Sequence, residues 1–109
     1  MSSDNPLGTF EEQILLAVLR SAEEAYGMRV RTELERVTDR EVAIGAVYAT
    51  LDRLEAKGLV ASRRASVAGL SRRIFVVSRR GAQALATTRA MRERLWRGID
   101  LSPLLGAPR

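Results

Sequence analysis

A mainly α-helical domain carrying one small antiparallel β-hairpin is the fold the sequence predicts, and three observations predict it. Up to Lys57, apolar side chains recur at steps of three and four through three successive segments, the period of amphipathic helices. From Leu59 the pattern changes to two short runs rich in small, β-branched and aromatic residues, as the strands of a hairpin require. After Ser78 the helical period resumes. With 109 residues the chain has room for one domain.

Residues Met1 to Pro6 are polar, end in proline and are expected to form a loose arm. Thr9 followed by Glu12 has the spacing of a capping box, which predicts a first helix over Phe10 to Ser21. Phe10, Ile14, Leu15, Val18 and Leu19 form its apolar stripe. Tyr26, Val30, Leu34 and Val37 define a second helix ending near Thr38, and Arg29, Arg31, Glu33, Glu35 and Arg36 fall on its solvated side. After a polar link over Asp39 to Val42, with room for a short strand, a third helix is predicted over Ile44 to Lys57. Ile44, Val47, Leu51 and Leu54 face inward there, and Gly58 supplies a left-handed stop. The hairpin strands are Leu59 to Ser66 and Arg72 to Ser78, joined through Ala68, Gly69 and Leu70. Ser78 can cap a last helix over Arg79 to Gly98, with Leu85, Met91, Leu95 and Ile99 as its main apolar residues, Trp96 beside them, and Arg92 interrupting the stripe. The tail from Asp100, with Pro103, Gly106 and Pro108, is expected to be irregular. The expected division is therefore an arm (1–6), a helical domain with its hairpin (7–78), a C-terminal helix (79–99) and a tail (100–109).

The composition excludes much. There is neither cysteine nor histidine, which removes disulfides, thiolate nucleophiles, the usual transition-metal sites and the commonest general base near neutral pH. No metal or other cofactor is expected, and an enzyme is the poorest reading. Apolar runs such as Ile14 to Leu19 are too short to span a membrane, and the acidic N-terminus does not resemble a secretion signal, so a reducing cytoplasm is the expected compartment.

Charge is distributed unevenly. Residues 1–50 hold five basic and nine acidic side chains, whereas residues 51–109 hold thirteen basic and four acidic. No acidic residue falls between Ala56 and Arg92, a stretch that contains Lys57, Arg63, Arg64, Arg72, Arg73, Arg79, Arg80, Arg89 and Arg92. Three helices, a hairpin and a fourth helix form the order of a winged helix-turn-helix, in which the third helix enters the major groove and the hairpin lies along the flanking backbone. The cationic stretch begins at the end of the third helix and covers the hairpin, as a phosphate-contacting wing requires. Double-stranded DNA is thus the expected partner.

On the third helix, Gly45, Ala46, Ala49, Arg53, Ala56 and Lys57 lie opposite the apolar face, with Tyr48, Thr50 and Asp52 on the flanks. Small residues let the backbone approach the groove floor while Tyr48, Thr50 and Arg53 reach base edges or phosphates, although alanine is also simply the best surface helix former. Arg53 is the best candidate for a bidentate guanine contact. Asp52 is expected on the rim or paired with an arginine. Arg63-Arg64 and Arg72-Arg73 each place one side chain on either face of a strand, so one of each pair is expected to point at DNA. Arg79-Arg80 opposes the macrodipole of the last helix.

The runs Leu7–Leu19, Ala25-Tyr26-Gly27, Gly45–Val60 and Ser71-Arg72-Arg73-Ile74-Phe75 resemble the PadR family of bacterial transcription regulators, in register over Leu7 to Leu85. The resemblance implies a homodimeric winged-helix regulator, usually a repressor, that sets two recognition helices into successive major grooves of a palindromic operator. Under it, Tyr48 corresponds to the recognition-helix tyrosine and Arg72 and Arg73 to the basic wing. The segment Leu85 to Ile99 corresponds to a C-terminal helix packed on the partner's first helix. The expected dimer interface is accordingly Phe10, Ile14, Leu85, Met91, Leu95, Trp96 and Ile99, in keeping with the apolar surplus of so small a domain.

The chain departs from the family pattern in two places. Ala43 stands where a serine or threonine commonly caps the recognition helix, and Ile74 replaces the first aromatic of the wing's usual pair. The stretch after Leu85 is short, like that of members with a single C-terminal helix, so no separate sensor domain is expected. A small-molecule effector therefore has only the dimer interface to occupy. Trp96 is placed like the tryptophan with which some members stack planar drugs, but interface tryptophans more often supply area alone. Two readings from other classes remain beside the DNA-binding one: a winged-helix module whose basic face meets an acidic protein, and a planar-drug sensor with a secondary DNA role.

Overall fold

The computed structural model describes residues 6–106. Helix α1 (Thr9–Ser21), a 3₁₀ turn (Ala22–Glu24), α2 (Gly27–Thr38) and α3 (Ile44–Ala56) precede strands β1 (Val60–Val67) and β2 (Leu70–Val77). Helix α4 (Arg79–Trp96) and the single turn α5 (Ser102–Leu105) complete the order. The mainly helical class with one antiparallel hairpin is as the sequence predicts. No strand forms over Arg40 to Ala43. Most of the expected arm lies outside the described residues, and the tail carries a helical turn at α5 where irregular backbone is expected, with Pro103 in its first turn and Gly106 left-handed at its end.

Helix α1 starts at Thr9, its predicted cap, one residue earlier than expected. Gly8 is the extended residue before the first turn, and the amide of Glu12 donates to its carbonyl at 3.0 Å. Because the cap moves to Gly8, the glutamate three residues on is Glu11, whose Oε1 accepts from the Gly8 amide at 3.3 Å. Glu12, released from capping, is buried and pairs with Arg92 of α4. This pair explains why a cation interrupts the apolar stripe of the last helix.

Ile14, Leu15, Ala17 and Val18 of α1 meet Val30 and Leu34 of α2, Val47, Leu51 and Leu54 of α3, and Phe75 of β2 in one core. Leu19 and Val37, both expected in the buried stripes, are exposed. On α2 the expected solvated charges pair with one another. Arg31 donates to Glu35 and Arg36 to Glu33, while Glu35 also accepts the amide of Val42 at 2.9 Å and so ties the α2–α3 turn.

The hairpin turns through Ala68 and Gly69, both at positive φ (53° and 80°), the backbone sense that suits the right-handed twist of paired strands. Its register sets Ser62 opposite Phe75, Arg64 opposite Arg73 and Ala65 opposite Arg72. The amide of Phe75 donates to the carbonyl of buried Ala25 at 2.9 Å, so the hairpin is also tethered to the connection between α1 and α2. Ser78 caps α4 as expected, accepting from the Gly81 amide at 3.0 Å and donating to the Gly58 carbonyl at 2.7 Å. Gly81 itself is pressed on the residue that leads into β1: a Cβ there would stand 2.1 Å from the carbonyl oxygen of Leu59.

Candidate nucleic-acid interface

The outward side of α3 carries Gly45, Ala46, Tyr48, Ala49, Asp52, Arg53, Ala56 and Lys57, all exposed. Thr50 does not join them. It is buried, and its hydroxyl accepts from Arg53 Nη2 at 3.1 Å. At 100° per residue Thr50 lies about 40° from Leu54 and about 60° from Val47, both fully buried, so the helical period itself puts this side chain on the inner edge. Its place is to steady Arg53, not to reach a base.

Tyr48 is 38% exposed, and its ring lies flat over the first turn of α2. A Cβ on Gly27 would come within 2.3 Å of Cζ, so only glycine fits beneath the ring. The preceding Tyr26 serves the hairpin: the Arg72 guanidinium lies 4.4 Å from its ring centroid, a cation–π contact. Ala25, Tyr26 and Gly27 thus have three consecutive uses, a carbonyl for β2, a ring for Arg72 and a bare Cα for Tyr48.

The paired arginines of the hairpin divide in a way the strand alternation alone does not reveal. Arg72 and Arg73 lie on opposite faces, yet both are engaged within the protein. Arg72 is half-buried over Tyr26, and its Nε is buried without a hydrogen-bond partner. Arg73 is held by α3: Nη1 donates to Asp52 at 2.9 Å, Nη2 to Glu55, and Nε to Ser62 at 3.1 Å, while Ser62 donates to Glu55 at 2.8 Å. Arg73 is therefore not a free wing cation, and Asp52 is paired with an arginine as expected. Arg63 and Arg64, by contrast, are exposed and form no ion pair among the described residues.

Electrostatics follow these contacts. The Ser62 hydroxyl and then the Arg73 guanidinium hold the Glu55 carboxyl below the usual carboxylate range. Burial works against the charge of Arg73, but hydrogen bonds to Glu55 and Asp52 outweigh it and raise its pKa. A hydrogen bond from Lys57 at 2.8 Å lowers Glu11. In that pair the Lys57 side chain is 55% exposed and that of Glu11 16%.

One cation on this side is not singled out by the sequence pattern. Arg40, exposed in the turn between α2 and α3, lines a groove with Phe10, Gln13, Ala43 and Ala46 beside the first turn of α3. Its signal is position: it lies in the turn of the helix-turn-helix, four residues before the recognition helix begins.

The expected dimer residues also separate. Ile14 is fully buried in the protomer's own core, because α1 turns that stripe toward α2 and α3; Leu16 and Leu19 are the large apolar residues of α1 left exposed. Phe10, Leu85 and Met91 are half-buried. Leu95, Trp96 and Ile99 are 69%, 57% and 56% exposed, and Leu101, Leu104 and Leu105 continue that apolar surface into α5.

Residues 15–87 match the family described as transcriptional regulator PadR-like. The transcriptional regulator Rv3488 of Mycobacterium tuberculosis is 38% identical over 76 residues, 70% of this chain and 70% of that protein. Among solved structures, a PadR-like transcriptional regulator from Bacillus cereus superposes with a TM-score of 0.65 at 23% identity, covering 84% of this chain and 95% of that one. RosR of H. salinarum superposes at 0.66 and 24% identity, covering 86% of this chain and 81% of that one. The structural likenesses establish a shared fold.

Proposed function

The chain belongs to the PadR-like family of transcriptional regulators, and from that premise we propose that it is a cytoplasmic repressor that binds a palindromic operator as a homodimer. It is a regulator and not an enzyme. In this reading α3 enters the major groove on its exposed side, with Gly45, Ala46 and Ala49 allowing close approach and Tyr48 and Arg53 at base edges. Arg40, Lys57, Arg63 and Arg64 meet phosphates on either flank, and Arg72 reaches the backbone from its seat on Tyr26. The observation that carries the reading is that α3 exposes small and cationic residues and the hairpin that follows it exposes Arg63 and Arg64.

Selection of bound sequences from random duplex tests it. A recovered motif with two inverted half-sites about one helical turn apart is the expected result. Recovery of no sequence over background at moderate salt overturns specific binding. A dimer neutralising about ten phosphates, five through each protomer, gives a log–log salt slope of about −9.

Leu85, Met91, Leu95, Trp96 and Ile99 of α4, with Leu16 and Leu19 of α1, form the surface on which a second copy pairs in this reading. Its support is the large exposed apolar area at the end of α4. Trp96 then lies at the subunit interface, where a planar effector would stack; quenching of its fluorescence by planar cations, with parallel release of DNA, tests that role.

A further inference from the structure

We propose that Arg73 is a positioning residue: by bridging Asp52 and Glu55 of α3 to Ser62 of β1 it fixes the angle of the hairpin against helix α3 without itself touching DNA. The inference rests on the DNA-binding reading above and gives the second wing arginine a different role from Arg63 and Arg64.

Three observations carry it. First, each of the three guanidinium nitrogens of Arg73 already donates, to Ser62, Asp52 and Glu55 in turn. Second, the bridge joins the two elements whose relative angle decides whether α3 and the hairpin can lie on one duplex together. Its far side is anchored, since the guanidinium packs 4.7 Å from the ring centroid of Phe75, which is fully buried and tied to Ala25. Third, the charges are wrong for a phosphate contact. Asp52 and Glu55 set two carboxylates against the Arg73 guanidinium, so its charge is already neutralised within the protein and a phosphate approaching it meets both acids. Lifting Arg73 away to reach a phosphate would leave both carboxylates facing DNA without their counter-ion.

The two roles differ in how Arg73 couples to the acids. A positioning residue has nothing left to hold once Asp52 and Glu55 are gone, whereas a phosphate-binding arginine is then released and matters as much or more. The test is a double-mutant cycle of Arg73→Met against the pair Asp52→Ala and Glu55→Ala. Affinity is read by fluorescence anisotropy for the duplex recovered by selection and for a scrambled duplex of the same length, well below the melting temperature of every variant. We expect Arg73→Met to weaken binding to the selected duplex about five- to ten-fold in the natural background and less than about two-fold in the acid-free background. The preference over scrambled duplex falls in the same pattern, which a loss of global stability alone would not produce. An equal or larger loss in the acid-free background identifies a direct contact and overturns the proposal.

Amide hydrogen exchange of the DNA-free protein gives a second, independent readout. Arg73→Met is expected to speed exchange in β1 and β2 while protection in α1 and α2 is kept. Unchanged exchange in the hairpin overturns the bridge even if DNA is bound. If the natural protein recovers no duplex while Arg73→Met loosens the hairpin, the bridge stands as geometry and it is the DNA-binding reading that has failed.

Discussion

Gly27→Ala would put a Cβ 2.3 Å from Tyr48 Cζ, 2.4 Å from its hydroxyl oxygen and 2.6 Å from Cε1. No heavy-atom contact survives at those distances, so the ring must leave the first turn of α2. The ring is already 38% exposed, and it can swing into solvent without pushing backbone aside. The cost therefore stays within the usual range for overpacking, about 1–3 kcal/mol, and we expect about 2. For a domain of this size that lowers Tm by roughly 8 °C. The same substitution should cost almost nothing once Tyr48→Ala has removed the obstacle. The four proteins of this cycle are compared by urea denaturation at one fixed protein concentration, because association shifts apparent stability. An interaction free energy of about 2 kcal/mol is expected. Additive effects, with Gly27→Ala equally harmful in both backgrounds, would refute the assignment of Gly27 as the seat of the Tyr48 ring.

Three other outcomes follow from the same geometry. Gly81→Ala meets backbone instead of a movable ring, 2.1 Å from the Leu59 carbonyl oxygen; it should cost about 3 kcal/mol despite the better helix propensity of alanine, and a variant as stable as the natural protein in thermal unfolding would contradict the close packing of α4 on Leu59. Replacing Arg63 and Arg64 by alanine together should weaken binding to all duplexes alike and flatten the salt slope by about 2 per protomer, whereas Arg53→Ala should relax sequence preference, both read by anisotropy across a salt series. The depressed carboxyls of Glu11, Glu35 and Glu55 add stability that is fully present above the unfolded glutamate pKa of about 4.3 and is lost as pH falls through their lower folded values, so acid unfolding followed by circular dichroism should begin near that pH; insensitivity down to pH 3 would contradict these contacts.

Element order and type were legible because each helix carries its own period and the switch at Gly58 and Leu59 is abrupt. What periodicity left open was which edge of each stripe meets a neighbour. Leu19 and Val37 satisfy the pattern yet are exposed, and Thr50 satisfies a polar pattern yet falls beside two core residues. The cap of α1 lies at Gly8, where Glu11 stands at the right distance to reach back to its amide. The candidate interface was legible as a region, since charge counting needs no coordinates. The division of labour among its arginines was not, because it is set across the sheet and between elements: Arg73 meets acids 18 and 21 residues earlier in the chain. Only Asp52, an acid in a place meant for phosphates, hinted at a partner of opposite sign.

The two ends of α4 are unequal, and that inequality bears on how a signal would reach DNA. Its first turns are fixed to the domain by Ser78, by Gly81 against Leu59, and by Thr88, whose buried hydroxyl accepts the Leu7 amide at 2.9 Å. Arg92 adds its bridge to Glu12. Beyond that point the side chains from Glu93 to Leu101 are all exposed. The radius of gyration, 16.4 Å, exceeds the value of about 13 Å for a compact chain of this length, as a protruding helix requires. Under the dimeric reading, the free end is the part a partner covers, and the fixed end makes α4 and α1 move as one body. A ligand at the interface would then change the separation and tilt of the two α3 helices with little change inside either domain. A hinge within α4 would predict the opposite, and breaking the Glu12–Arg92 bridge by Glu12→Gln separates the two. It should weaken the coupling between effector and DNA while leaving the DNA affinity of the effector-free protein within about two-fold.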